Sequence, residues 1–202
     1  MINYVENTNK GRQTFLTNDL LTLNRVIMIK DIIDNRLALN IVELICLMET
    51  QNDKDITVCI NSPGGSINAG LLITDAFEGS KCDIRTVCLG ECYSMGAFIL
   101  AAGTKGKRCI NKHGSVMIHE PLIQNGAGGN CTTIEQLSKS MLSTKKLVNS
   151  MLADYCNKTI NEINEATNNQ DNFMNAYEAC KFGIVDYIAD DNLISVISGK
   201  DM

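Results

Sequence analysis

Three residues able to share nucleophilic chemistry stand far apart along the chain. Ser94 lies in Gly90-Glu91-Cys92-Tyr93-Ser94-Met95-Gly96, where the β-rich run Ile84 to Leu89 gives way to the apolar stretch Met95 to Ala102 and then Gly103. That order reads as strand, turn and buried helix. It puts the Ser94 hydroxyl at a helix's first turn, beside unbonded N–H groups and the positive end of the dipole, which suits an oxyanion. The position also suits a plain N-cap, where Ser is among the preferred residues. It is not the G-x-S-x-G turn of α/β-hydrolases, because Cys92 replaces the first Gly. His119 follows Val116-Met117-Ile118 and so comes off the end of a buried strand, whereas His113, in Lys112-His113-Gly114, reads as a solvated turn residue. A neutral imidazole can take a serine's proton, and a carboxylate can fix its tautomer. Asp171, in the polar run Asn168 to Phe173, is the leading carboxylate candidate. Taken singly, His119 reads as structural and Asp171 as a turn residue, and spacing leaves open whether the three converge.

A fourth signal is Ser62-Pro63-Gly64-Gly65, after the strand-like run Ile56 to Ile60. Two glycines at a strand end let the backbone aim an N–H into a pocket with no side chain in the way. They suit a tight turn equally well. Phosphate cradling is disfavoured, because no Gly-Lys-Ser/Thr follows and G-x-G-x-x-G is absent. The nine cysteines form no C-x-x-C pair and mostly lie in apolar runs, so they read as small core residues in a reducing compartment, with neither zinc nor disulfides. Cys92, two residues before Ser94, is a competing nucleophile with no better partner spacing.

The elements that must position these residues follow from composition and periodicity. With 202 residues and 45% hydrophobic content, the chain suits one large domain that can bury roughly 70% of its unfolded surface. A net charge of −5 and scattered basic residues argue against nucleic acid, and no apolar run approaches the ~20 residues of a membrane span. A cytoplasmic protein is expected. Residues 1–24 are rich in polar turn formers around a short apolar piece and read as an N-terminal segment that is mobile or ordered only by a partner. Strands are expected at Arg25 to Ile29, Ile56 to Ile60, Ile84 to Leu89, Lys107 to Asn111, Ser115 to Ile123 and Val185 to Ala189. Helices are expected after Asp34, at Ile67 to Phe77, Met95 to Ala102, Thr132 to Lys158, Ile160 to Ala166 and Ala176 to Phe182. This alternation gives an α/β fold with a mostly parallel sheet. The long helix, with Ile134, Leu137, Met141, Leu147, Met151 and Leu152 on one side, is expected to project.

Three motifs in order carry a family resemblance: Ile60-Asn61-Ser62-Pro63-Gly64-Gly65-Ser66-Ile67, Ser94-Met95-Gly96-Ala97-Phe98 with Ala101 to Arg108, and Val116-Met117-Ile118-His119-Glu120-Pro121-Leu122. From about Thr8 to Asp190 the chain resembles the proteolytic subunit of the ATP-dependent Clp protease, or a divergent second paralogue of it. The resemblance implies a crotonase-like fold of repeated ββα/βαβ units, with a handle loop and helix over about 124–158. It implies a serine endopeptidase with Ser94 as nucleophile, His119 as base, Asp171 as its orienting carboxylate, and the N–H groups of Gly65 and Met95 as oxyanion hole. No metal or cofactor of its own is implied, since ATP is used by a partner AAA+ unfoldase. Heptameric rings stacked as tetradecamers, homomeric or mixed with a paralogue, would enclose peptide substrates.

The sequence departs from that pattern in three places. The loop after Pro121-Leu122 is longer than expected, Asn169 and Gln170 replace an acidic-Arg pair, and the positions matching the unfoldase docking rim, Thr57, Cys59, Gly79, Ser80 and Asn111, are small or polar. An active peptidase therefore stands beside a weakly active or structural subunit of a mixed barrel. A crotonase-type acyl-CoA enzyme is a third reading, disfavoured by the Ser/His pair with Met-Gly after the Ser.

Overall fold

The computed structural model describes residues 3–8, 11–123, 126, 128–168, 170–189 and 193–198. Gln124, Asn125 and Ala127 of the glycine-rich loop, and Asn169 of the expected charge-pair site, lie outside the described residues. The chain begins with a hairpin, β1 (Asn3–Thr8) and β2 (Gly11–Leu16), and helix α1 (Thr17–Leu23), in the segment expected to be mobile or ordered only by a partner.

A seven-stranded sheet follows. Strands β3 (Val26–Ile29), β4 (Ile56–Ser62), β5 (Ile84–Tyr93), β6 (Arg108–Asn111) and β9 (Tyr187–Ala189) run parallel in that spatial order. Between them pass α2 (Asn35–Gln51), α3 (Ile67–Gly79) and α4 (Met95–Ala101). Asp34 caps α2 by accepting from the Leu37 N–H at 2.7 Å, as its side-chain type favours. Ala38, Ile41, Ile45 and Met48 then form the buried stripe of α2, at the helical repeat. All seven residues of α4 are buried. So short a helix is marginal alone, and its last carbonyls are held from the sheet: Thr86 Oγ1 donates to Leu100 O at 2.7 Å, and Arg108 Nη1 to Ala101 O at 3.1 Å.

The sheet forks along β5. Thr86 to Cys88 pair with β6, but Glu91 to Tyr93 pair with a different strand, β7 (Ser115–Ile118). Strand β7 in turn pairs antiparallel with β8 (Asn172–Asn175). The sequence reading differs here in two ways. It extended β7 to Ile123, yet pairing stops at Ile118, where β8 also begins, and Pro121 has no N–H to continue a ladder. It takes the polar run from Asn168 to Phe173 as non-strand, whereas β8 begins at Asn172; asparagines carry little strand propensity, and β8 is stabilised by pairing with β7.

Helix α5 (Cys131–Cys156) is the expected long helix. Its buried residues, Asn149, Leu152, Ala153 and Cys156, all fall in its last two turns, while Ile134, Leu142 and Leu147 are exposed. The first half thus stands off the body. Helices α6 (Ile160–Thr167), α7 (Ala176–Phe182) and α8 (Leu193–Ser198) complete the chain. Gly183 ends α7 at φ 98°. No helix among the described residues is long and apolar enough to cross a membrane.

Two of the docking-rim positions are corrected by the fold. Thr57 and Cys59 are buried in β4, Cys59 within an apolar cluster flanked by Leu21 of α1 and Leu193 and Ile197 of α8. Neither offers a side chain to a partner's loop.

Arg108, in β6, ties together α4, α5 and the turn before β9. Its Nε and Nη2 bind the Asp186 carboxylate at 3.0 and 2.6 Å, while Nη1 donates to Ala101 O and to Tyr155 O at 2.8 Å. Burial raises the Asp186 carboxyl, but the Arg108 side chain and the Arg108 and Gly106 N–H groups outweigh it and hold the group below its ordinary value. A depressed carboxylate stabilises the fold above its unfolded pKa and stops doing so as pH falls through the folded value. Asp186→Ala strands a buried guanidinium and should cost about 3 kcal/mol near neutral pH. Urea unfolding should show that deficit at pH 7 and show it shrinking below pH ~3.9, where wild type begins to lose the same interaction.

Candidate active site

Strand register brings the three distant residues together. Tyr93 pairs with Met117 across β5 and β7, and the Ser94 N–H donates to Met117 O at 2.8 Å. Across β7 and β8, Ile118 pairs with Asn172. One more step along that antiparallel register sets His119 opposite Asp171. His119 Nε2 lies 2.8 Å from Ser94 Oγ, and His119 Nδ1 lies 3.6 Å from Asp171 Oδ1. The first is a hydrogen bond; the second is just beyond one. The His119 side chain is 17% exposed, whereas that of Asp171 is 57% exposed.

Ser94 occupies the N-cap position of α4 but makes no side-chain cap bond, and its backbone sits at φ 54°, ψ −120°. A non-glycine residue held there stores about 1–3 kcal/mol, whereas an N-cap has extended backbone and bonds the helix through its hydroxyl. The geometry is that of a sharp strand-to-helix turn lifting Oγ clear of its own helix. Gly96 permits the turn, because a Cβ there would lie 3.1 Å from Ser62 O.

The Ser62 to Gly65 segment lies against this turn. A Cβ on Gly64, whose φ is 100°, would come within 2.8 Å of Ser94 Cβ and 3.1 Å of Met95 N. Gly65 forms a parallel bridge with Ile33, made through Gly64 O and the Ser66 N–H, so its own N–H faces away from Ile33. A side chain on Gly65 would run into the Ile33 carbonyl. Among the described residues, neither the Gly65 nor the Met95 N–H has an acceptor. Met95 follows Ser94 directly, and Gly65 follows the Gly64 that packs against Ser94 Cβ.

A family model for Clp protease matches residues 9–192. The chain belongs to the Clp protease family. Membership brings the crotonase-like fold and peptide-bond hydrolysis as the general activity, and the forked sheet, the buried α4 and the standing-off α5 fit it.

Within this Clp protease domain, Cys92 drops out as a competing nucleophile. It is fully buried against Ile60 O, at 3.6 Å, and burial pushes its thiol well above the ordinary range, so no reactive thiolate is available. All nine cysteines are free, six of them buried. No cluster of three or more His, Cys, Asp or Glu able to hold a metal exists among the described residues.

Sequence reasoning missed two supports. In the sequence Ser62 stands only as a prelude to the glycines, yet its buried hydroxyl donates to Asp31 O at 2.6 Å and accepts from the Gly64 N–H at 3.1 Å, clamping the Gly64-Gly65 turn. Its position as the first residue of Ser-Pro-Gly-Gly was the available clue. Gly70 of α3 is the second: a Cβ there would overlap the Met95 side chain, and no sequence signal marks it. Ser62→Ala should cost about 1–3 kcal/mol through the orphaned partners, read by urea unfolding. It should also slow fluorophosphonate labelling of Ser94, whereas an unchanged labelling rate would show that the clamp does not shape the site.

Proposed function

We propose that this chain is a proteolytic subunit of an ATP-dependent Clp protease, a serine endopeptidase that hydrolyses peptide bonds of unfolded proteins inside an oligomeric barrel. The observation that carries the reading is the strained Ser94, at φ 54°, whose Oγ meets His119 Nε2 at 2.8 Å. With the Nδ1 proton facing Asp171, Nε2 accepts the Ser94 proton as Oγ attacks the scissile carbonyl carbon. The N–H groups of Gly65 and Met95 receive the resulting oxyanion. Its collapse breaks the C–N bond, the leaving amine takes the proton from Nε2, and the acyl group stays on Oγ. Water, losing its proton to Nε2, then releases the acid and restores Ser94. Asp171 orients the ring and stabilises the imidazolium. The chain needs no metal or cofactor for these steps; ATP serves a partner AAA+ unfoldase. A cytoplasmic location accords with the free cysteines.

One observation favours a conditionally active variant of this reading. His119 and Asp171 are 3.6 Å apart with Asp171 largely exposed, and Gln170 stands where the resemblance places Arg. The exposed Ile134, Leu142 and Leu147 on α5 supply apolar surface for a stacked ring. In this form the chain works in heptameric or tetradecameric rings, alone or mixed with a paralogue whose contacts draw Asp171 onto His119.

Ser94→Ala should abolish hydrolysis of short fluorogenic peptides with the melting temperature unchanged or raised, because alanine removes no cap bond. Retained turnover would end the nucleophile assignment. For the mixed-ring form, native mass spectrometry of the protein alone should show single rings or smaller species of low activity, and an added typical paralogue should raise both mass and activity. A stable double ring as active alone as in any mixture would exclude it.

A further inference from the structure

Helix α5 grips both of the loops that carry His119 and Asp171. Lys145 Nζ meets Glu120 Oε2 at 2.5 Å, and Glu120 is the residue after His119. One turn further along, the buried Asn149 donates from Nδ2 to Asn164 Oδ1 at 2.8 Å and to Thr167 Oγ1 at 3.4 Å. Thr167 ends α6, four residues before Asp171, and Asn172 Nδ2 fastens the far side of the same loop to Ala166 O at 3.1 Å. Residues 145 and 149 are four apart and so share one face of the helix.

The ladder sets His119 opposite Asp171 but does not bond them. Pairing between β7 and β8 ends at Ile118 and Asn172, so His119 and Asp171 stand one step past the last bonded pair. The separation of Nδ1 and Oδ1 is therefore set by whatever holds the flanking backbone. Lys145 stands where α5 passes from its exposed half to its packed half, and both ends of its ion pair are about 70% covered, since 27% and 32% of the two side chains remain exposed.

We infer that Lys145 and Asn149 are positioning residues: α5 acts as a rail that sets the His119–Asp171 distance, Lys145 through Glu120 and Asn149 through the end of α6. The inference rests on the catalytic reading of Ser94, His119 and Asp171. It also gives α5 a second role, since a shift of its exposed half would be passed to the base through Lys145.

The full-length chain tests this with short fluorogenic peptides. Lys145→Met and Glu120→Gln should each lower kcat on the order of tenfold, as misplacement of a catalytic group does, with KM changed by less than about twofold. The exchanged pair, Glu120→Lys with Lys145→Glu, should recover most of that loss. In an Asp171→Asn background, Lys145→Met should add less than about twofold, because the alignment it maintains is already gone. Full, multiplicative loss in that background, or an unchanged kcat in Lys145→Met, overturns the inference and leaves the peptidase reading intact. A wild-type protein that neither hydrolyses peptide nor takes a fluorophosphonate on Ser94 overturns the peptidase reading, and the inference with it.

Discussion

The site depends on the pairing of β7 with two strands at once. Strand β5 delivers Ser94, β7 delivers His119, and β8 begins one residue after Asp171. Because β7 is bonded to both neighbours, the two registers are fixed relative to each other, and a slip of one residue in either would turn the side chains to opposite faces. The Ser94 N–H···Met117 O bond, at 2.8 Å, continues the β5–β7 ladder into the strained turn. The strain of Ser94 is thus held by the sheet as much as by α4, and it is spent on presenting Oγ to His119.

Buried polar groups supply the remaining order. Arg108 holds the ends of α4 and α5 together, Ser62 clamps the glycine turn, and Asn149 ties α5 to α6. Each satisfies carbonyls or hydroxyls that would otherwise be costly to bury. Asp171 itself stays exposed, 3.6 Å from His119 Nδ1, although the chain on either side of it is tied down, at Thr167 by Asn149 and at Asn172 by the Ala166 carbonyl.

Most of the architecture was legible in the sequence. The Asp34 cap, the Ile67 and Ala176 helices, the Gly183 stop and the strand-glycine-helix pattern around Ser94 all follow from local rules that the fold does not override. Ser94, His119, Asp171 and the Gly64-Gly65 turn could be named as candidates from residue type and flanking pattern, whereas their joint roles, and Met95 as an oxyanion donor, came from the family resemblance. What was not legible depended on long-range pairing. Asn172-Phe173-Met174-Asn175 is a strand only because β7 lies beside it, and the residues before Ser94 extend β5 although Gly90 suggests a turn. The φ of Ser94 could not be read from a residue that ordinarily caps helices. Nor could the burial of Asn149, a polar residue on a helix whose apolar pattern suggested only packing, or of Thr57 and Cys59 in β4, the latter packed with residues of α1 and α8.

The central claim is that Ser94 Oγ, His119 Nε2 and the N–H groups of Gly65 and Met95 surround one reacting atom. The most direct measurement is a crystal structure of the protein after reaction with a small fluorophosphonate. The account predicts a single phosphonyl group on Ser94 Oγ, with its phosphoryl oxygen about 2.7–3.1 Å from both Gly65 N and Met95 N. An adduct on another residue, or a phosphoryl oxygen turned away from those two groups, would contradict it.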